Sequence, residues 1–124
     1  MNGLETWFAS SREDLDRMRV TTALTLVRSD GYAMFGDPND LATPDHLHAW
    51  YSFWDEPLGI PLAPGTLVPD GSWRREFSGG TALYNPMGNG AVQISFGSPR
   101  RSAATGEVAN QHTLPERDGD LYVP

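Results

Sequence analysis

Residues 45–56, DHLHAWYSFWDE, bring four aromatic rings, two histidines and three carboxylates into twelve positions. Flat rings stack against the C–H faces of sugars while neighbouring carboxylates take their hydroxyls, which makes Trp50, Tyr51 and Trp54 candidates for a carbohydrate-binding surface. The i, i+3, i+4 spacing of Trp50, Phe53 and Trp54 equally suits rings that pack the segment onto a core. Tyr32 and Phe35 are open to the same two readings. Asp55 and Glu56 beside Trp54 could form a carboxylate pair with one pKa raised by apolar neighbours, but adjacent side chains point apart, and solvated loop acids are the expectation. His46 and His48 supply two metal ligands. A site needs a third, and neither Asp45 nor the distant His112 stands at a recognisable spacing, so no metal is expected. The Ser78-Gly79-Gly80 and Gly88-Asn89-Gly90 runs lack the strand, lysine and helix context of a phosphate loop and read as hairpin turns. With no G-x-S-x-G elbow either, no catalytic residue is assigned and no cofactor is expected.

The elements that would position these residues change character along the chain. Ser10-Ser11-Arg12-Glu13 has the form of a capping box, and a helix over about 11–28 follows from it. Val20, Ala23, Leu24 and Val27 form one stripe of that helix, while Leu15, Met18, Thr22 and Leu26 form another on the opposite side, so the helix is expected to be covered on two faces. The β-branched run VTTALTLV also suits a buried strand. Asp30-Gly31 signals a turn into a short apolar strand, Tyr32 to Phe35, which Gly36-Asp37-Pro38 ends. Thr43-Pro44 would cap a short helix through the aromatic segment. Pro57, Pro61 and Pro64 with Gly59 and Gly65 then make an extended connector.

Beyond it the pattern is β. Trp73 to Phe77 alternates, Ser78-Gly79-Gly80 allows reversal into Thr81 to Tyr84, and Val92, Ile94 and Phe96 share a face opposite Gln93 and Ser95. A short segment from Pro99 to Ala103, a turn at Thr105-Gly106, and strands over Val108 to Leu114 and Asp120 to Val123 complete five or six strands. The fold class is α+β: residues 1–64 hold a helix, a short strand and an aromatic linker, and residues 70–124 form a small antiparallel β-sandwich.

Charge and composition narrow the function. The 124 residues carry 16 acids against 9 bases, a net charge of −7, which opposes nucleic-acid binding. No apolar run approaches the 18 residues of a membrane span. Cysteine is absent, which excludes thiol chemistry and disulfides and fits the cytosol or an extracellular setting equally.

Five pieces, SDGYAMFGD (29–37), WYSFWDEPLGIPLAP (50–64), WRREFSGGTALYNP (73–86), RRSAATGE (100–107) and TLPERDGDLYVP (113–124), occur in an order that resembles the C-terminal part of bacterial TIM-barrel glycoside hydrolases known mainly from genome sequence. The resemblance implies that the helix and the Tyr32–Phe35 strand are the remnant of a barrel end, followed by an aromatic link and a C-terminal β-sandwich. It also implies that Asp37, after the last barrel strand, assists substrate binding, although Gly-Asp-Pro-Asn-Asp is equally ordinary turn chemistry. Most β/α units of such a barrel have no counterpart ahead of residue 1. The expectation is therefore a fragment or subunit whose parent hydrolyses glycosidic bonds, the chain alone being structural rather than catalytic. The alternative is a stand-alone carbohydrate-binding or protein-interaction β-module. Carbohydrate, a barrel-completing chain and self-association through the Val20–Val27 stripe are the expected partners.

Overall fold

A computed structural model describes residues 3–7, 14–30, 32–36 and 51–124, the two short outer segments as backbone strands only. Strand β1 (Gly3–Trp7), helix α1 (Leu15–Arg28) and strand β2 (Tyr32–Gly36) form a β-α-β unit. Its strands pair in parallel, Gly3 opposite Tyr32 through Trp7 opposite Gly36. A six-stranded antiparallel sheet follows in the spatial order β3-β4-β5-β8-β6-β7. Its strands are β3 (Thr66–Leu67), β4 (Trp73–Phe77), β5 (Gly80–Asn85), β6 (Val92–Ser102), β7 (Val108–Leu114) and β8 (Asp118–Val123). The protein is thus α+β. No helix among the described residues is long and apolar enough to cross a membrane.

Helix α1 begins later than the sequence suggests. Asp14 is its cap, accepting the Arg17 N–H at 2.9 Å, whereas the Ser10–Glu13 box lies outside the described residues. The threonines that argue for a strand are accommodated by back-bonding along the helix. Thr22 Oγ1 donates to Met18 O at 2.8 Å and Thr25 Oγ1 to Thr21 O at 2.9 Å, so buried hydroxyls are satisfied at little cost to the backbone. Met18, Thr21, Ala23, Thr25 and Val27 are all buried, although they lie on two sides of the helix. Burial on both sides outweighs the weak helix propensity of β-branched residues.

Helix α1 packs on β4, β5 and β8. Met18, Val27, Ala82, Leu121, Val123 and Phe77 share an apolar cluster there. Gly119 permits this close approach, because a Cβ at that position would overlap the Ala23 methyl. Arg75 on β4 holds the C-terminal end of the helix. Its Nη1 donates to Leu26 O at 3.1 Å and Ser29 O at 2.9 Å, and its Nε to Ala63 O at 2.9 Å. These carbonyls include acceptors left over at a helix C-terminus, where the helix dipole also favours a cation. Nη2 meets Asp30 Oδ1 at 2.5 Å. At the other end, Arg19 Nε and Nη2 donate to the two oxygens of Asp118 at 2.9 and 2.7 Å. Burial alone would lower the Arg19 pKa; the hydrogen bonds and charge of Asp118 reverse this and raise it.

The far face of the sheet has its own core. Leu83 and Tyr122 meet Val92, Ile94 and Leu114, with Phe96 at the margin. β6 makes this possible by bending. Ser95 lies opposite Gln111 and Arg100 opposite Ala109, so Phe96 to Pro99 stand against Asn110 alone. The bulge turns the first half of β6, with β7, over the back of β5 and β8 as a second layer, while Arg101 and Ser102 pair with Val123 and Tyr122. Pro99 therefore sits inside one bulged strand rather than opening a new one, as proline can where the ladder is interrupted.

Asp120 organises the β6–β7 turn from within. Its carboxylate accepts from the Ser102 hydroxyl, from Ala104 N at 2.9 Å and from Leu121 N at 2.7 Å. Burial is the largest influence on its pKa and pushes it above the usual carboxylate range, more than these donors pull it down. A raised folded pKa means that the folded state disfavours the ionised form. This group's contribution to stability is therefore fully present below the ordinary value of 3.8 and is lost as pH rises from there through the folded pKa. Denaturant titrations across that window are expected to show Asp120→Asn gaining on the wild type as pH rises; a constant difference would contradict the assignment. Asp120→Ala, which removes three acceptor contacts from a buried turn, should cost about 2 kcal/mol at the acid end of that window and less as pH rises through it.

Candidate functional site

The aromatic linker folds as a 3-10 turn, Ser52–Asp55, laid against α1. Phe53 is the buried anchor, 4% exposed, and joins the apolar cluster beneath the helix. Tyr51 stacks on it at 5.8 Å between ring centroids, and Trp54 meets Tyr51 edge-on at 5.0 Å. Trp54 Nε1 donates to Thr22 Oγ1 at 3.0 Å, so this indole is fixed to the helix by its polar handle. Tyr51 and Trp54 remain half-buried. Trp54→Phe keeps the ring contact and removes the hydrogen bond; a loss of about 1 kcal/mol in a thermal or chemical denaturation series is expected.

Behind the rings lies a cleft of about 320 Å³, walled by Thr22, Leu26, Trp54, Glu56, Leu58 and Leu121. It is apolar apart from one charged rim. The expectation of a solvated Glu56 is corrected: its two carboxylate oxygens each accept from Arg101, at 2.8 Å from Nη1 and 2.8 Å from Nη2, and its side chain is 11% exposed. The fork pairs with the carboxylate in the bidentate geometry that only arginine offers. Donating these hydrogen bonds to Glu56, and lying beside its charge, holds the Arg101 pKa above its usual value. A carboxylate so engaged is a positioned acceptor with a neutralised charge, not a general base. The cleft can accept one apolar or ring-faced group against Trp54, with Glu56, held by Arg101, as its hydrogen-bonding edge.

Of the residues singled out by sequence, the structure brings Tyr51 and Trp54 into edge-on contact, and of the two Trp54 lines this cleft. Asp37 and Trp50 lie outside the described residues, as do His46 and His48. Tyr32 and Phe35 belong to β2, where the backbone alone is described. His112 lies on β7. It is buried with Nε2 2.9 Å from Arg100 O, and its ring lies 4.8 Å from that of Tyr122. Among the described residues no three His, Cys, Asp or Glu side chains are grouped to hold a metal ion.

Two residues that shape the site, Thr22 and Arg101, are not among those the sequence nominates. Thr22 carries a visible signal, since a hydroxyl on the helix face toward the linker can receive an indole N–H. Glu56 and Arg101 are 45 positions apart, and nothing in their local sequence marks the pair. Elsewhere on the sheet Arg74 contacts Glu76 at 2.5 Å, and Asp118 pairs with Arg19. Searches of protein-family models, curated proteins and solved structures find no match to this chain.

Proposed function

We propose that this chain is the C-terminal portion or subunit of a glycoside hydrolase, in which β1, α1 and β2 belong to the end of a barrel and the antiparallel sheet is a buttress. The parent reaction would be hydrolysis of a glycosidic bond in a poly- or oligosaccharide, with the chain itself non-catalytic. The observation that carries this reading is the parallel pairing of β1 and β2 through α1. Parallel strands occur almost only in α/β sheets with both faces covered by helices, and among the described residues β1 and β2 have α1 alone. A two-stranded parallel sheet is therefore best understood as part of a wider one. The helix that would cover such a barrel is clasped on its other side by β4, β5 and β8, which suits a domain whose task is to brace it.

Catalysis would need a carboxylate pair about 5 to 9.5 Å apart in a rigid frame, and Glu56, the acid at the aromatic cleft, is neutralised by Arg101. The catalytic pair would then come from preceding β/α units, in frame ahead of Met1 or on another polypeptide. The test is complementation. A polypeptide carrying those units is expected to bind this chain and to release the chromophore from aryl glycosides only when both parts are present. Full activity without this chain, or no association between the two, would overturn the proposal.

A second reading has one observation in its favour: Trp54 is half-buried beside an open cleft, which suits a carbohydrate-binding module. Titration with cello-, xylo- and manno-oligosaccharides separates the two. Saturable shifts of the Trp54 indole resonance support the module, and an unmoved resonance supports the buttress.

A further inference from the structure

We infer that β7 is a self-association edge, through which two copies of this chain pair antiparallel over Val108–Leu114 about a two-fold axis centred on Gln111. The six-stranded sheet ends differently on its two sides. On one side β3 has only two residues, and the outer edge of β4 is covered by the connector: Pro61 bridges Phe77, and Leu62 N donates to Glu76 O at 3.0 Å. On the other side β7 runs for seven residues, bonded to β6 alone among the described residues. Every second backbone N–H and C=O of β7 therefore points away from the sheet without a strand to receive it.

The devices that normally block such an edge are missing. Residues 108–114, VANQHTL, contain no proline and no Asp, Glu, Lys or Arg. The bulge belongs to β6, so β7 itself is continuous. Among the described residues of the six-stranded sheet, this uncharged strand is the long edge where two copies of a chain of net charge −7 can meet without opposing like charges, and it offers a charged partner nothing to recognise.

The strand is also self-complementary about its centre. Val108, 64% exposed where the second layer runs out, would lie beside Leu114 of the second copy and extend the apolar row of that layer. On the outer face Ala109 would meet Thr113, and Gln111 would meet its own counterpart. These are the kinds of uncharged polar pairs that already line this face within one copy, where Gln93 Nε2 donates to Thr113 Oγ1 at 2.8 Å. A single strand pair buries little surface, so the dimer is weak and concentration-dependent. It is independent of the glycosidase reading.

The absence of cysteine makes the test clean. Directly opposed residues across an antiparallel pair have Cβ atoms about 4.5–5.5 Å apart, close enough for a disulfide after a small adjustment. Q111C is expected to form a covalent dimer on mild oxidation at least roughly tenfold faster than M87C, an exposed residue off the edge. In sedimentation, the wild type should show a dimer fraction rising with concentration. Q111K, an exposed substitution that opposes two like charges at the axis, should raise the dissociation constant roughly fivefold. A wild type that stays monomeric with Q111C no faster than M87C, or an association that Q111K leaves unchanged, would overturn the inference.

Discussion

Arg75→Ala is expected to destabilise the protein by about 3 kcal/mol, among the largest effects of any substitution outside the apolar cores. The guanidinium is buried and gives hydrogen bonds to Ala63 O, Leu26 O and Ser29 O, tying the sheet, the helix end and the connector to one side chain. Hydrogen bonds from a charged donor are worth more than neutral ones, and their removal strands carbonyls that the fold has already withdrawn from water. Asp30, 87% exposed, is not left buried by the change, so the loss comes from the carbonyls rather than from an orphaned charge. For a domain of this size the melting temperature should fall by about 10 °C. Arg75→Lys should recover only part of it, since an ammonium cannot reproduce the planar fork that reaches three carbonyls from two nitrogens. If alanine and lysine were both neutral, the helix end would not be held as described.

The second large effect is steric. Gly119→Ala places a methyl where Ala23 already stands, with Leu83 O 3.1 Å from the new Cβ, and should cost about 2–3 kcal/mol. Gly119 is not among the residues of positive φ, so backbone strain plays no part. A double-mutant cycle isolates the contact. Ala23→Gly alone should cost about 1 kcal/mol through helix propensity, yet in the presence of Gly119→Ala it should relieve the overlap. The double variant is then more stable than the sum of the singles by at least about 1 kcal/mol. Strict additivity would mean that helix and sheet do not touch at this point.

Much of the antiparallel part can be read directly from residue order. Alternation in Trp73–Phe77 and in Val92–Phe96 locates β4 and the first half of β6, because each has one face in a core and the period of two follows from the pleat, whereas β5 and β8, buried on both faces, are marked by the turns that bound them. The two stripes of α1 likewise announce a helix covered on two sides. What escapes is of two kinds. Gly3–Trp7 is too short and too mixed to show a period, so β1 has no local signature and the parallel unit is invisible without its partner strand. The remainder is long-range pairing. Glu56 with Arg101, Ser102 with Asp120 and Arg75 with the helix end depend on distances that the fold sets, and no spacing in the chain encodes them. At the cleft, ring chemistry nominates Tyr51 and Trp54, but only packing shows that Phe53 is the anchor and that the indole is tied to Thr22.

The claim on which the buttress rests is that α1 belongs to the same cooperative unit as the antiparallel sheet, so that whatever packs on its other side is rigidly braced. Native-state amide hydrogen exchange measures this directly, because segments that open together share one opening free energy. The account expects amides of residues 19–28 in α1 to be protected to the same level as those of β5 and β8, and to lose that protection in parallel in Arg75→Ala. Exchange of the helix a hundredfold or more faster than the strands, with the strands indifferent to the substitution, would show the helix to be a loose appendage and would contradict the account.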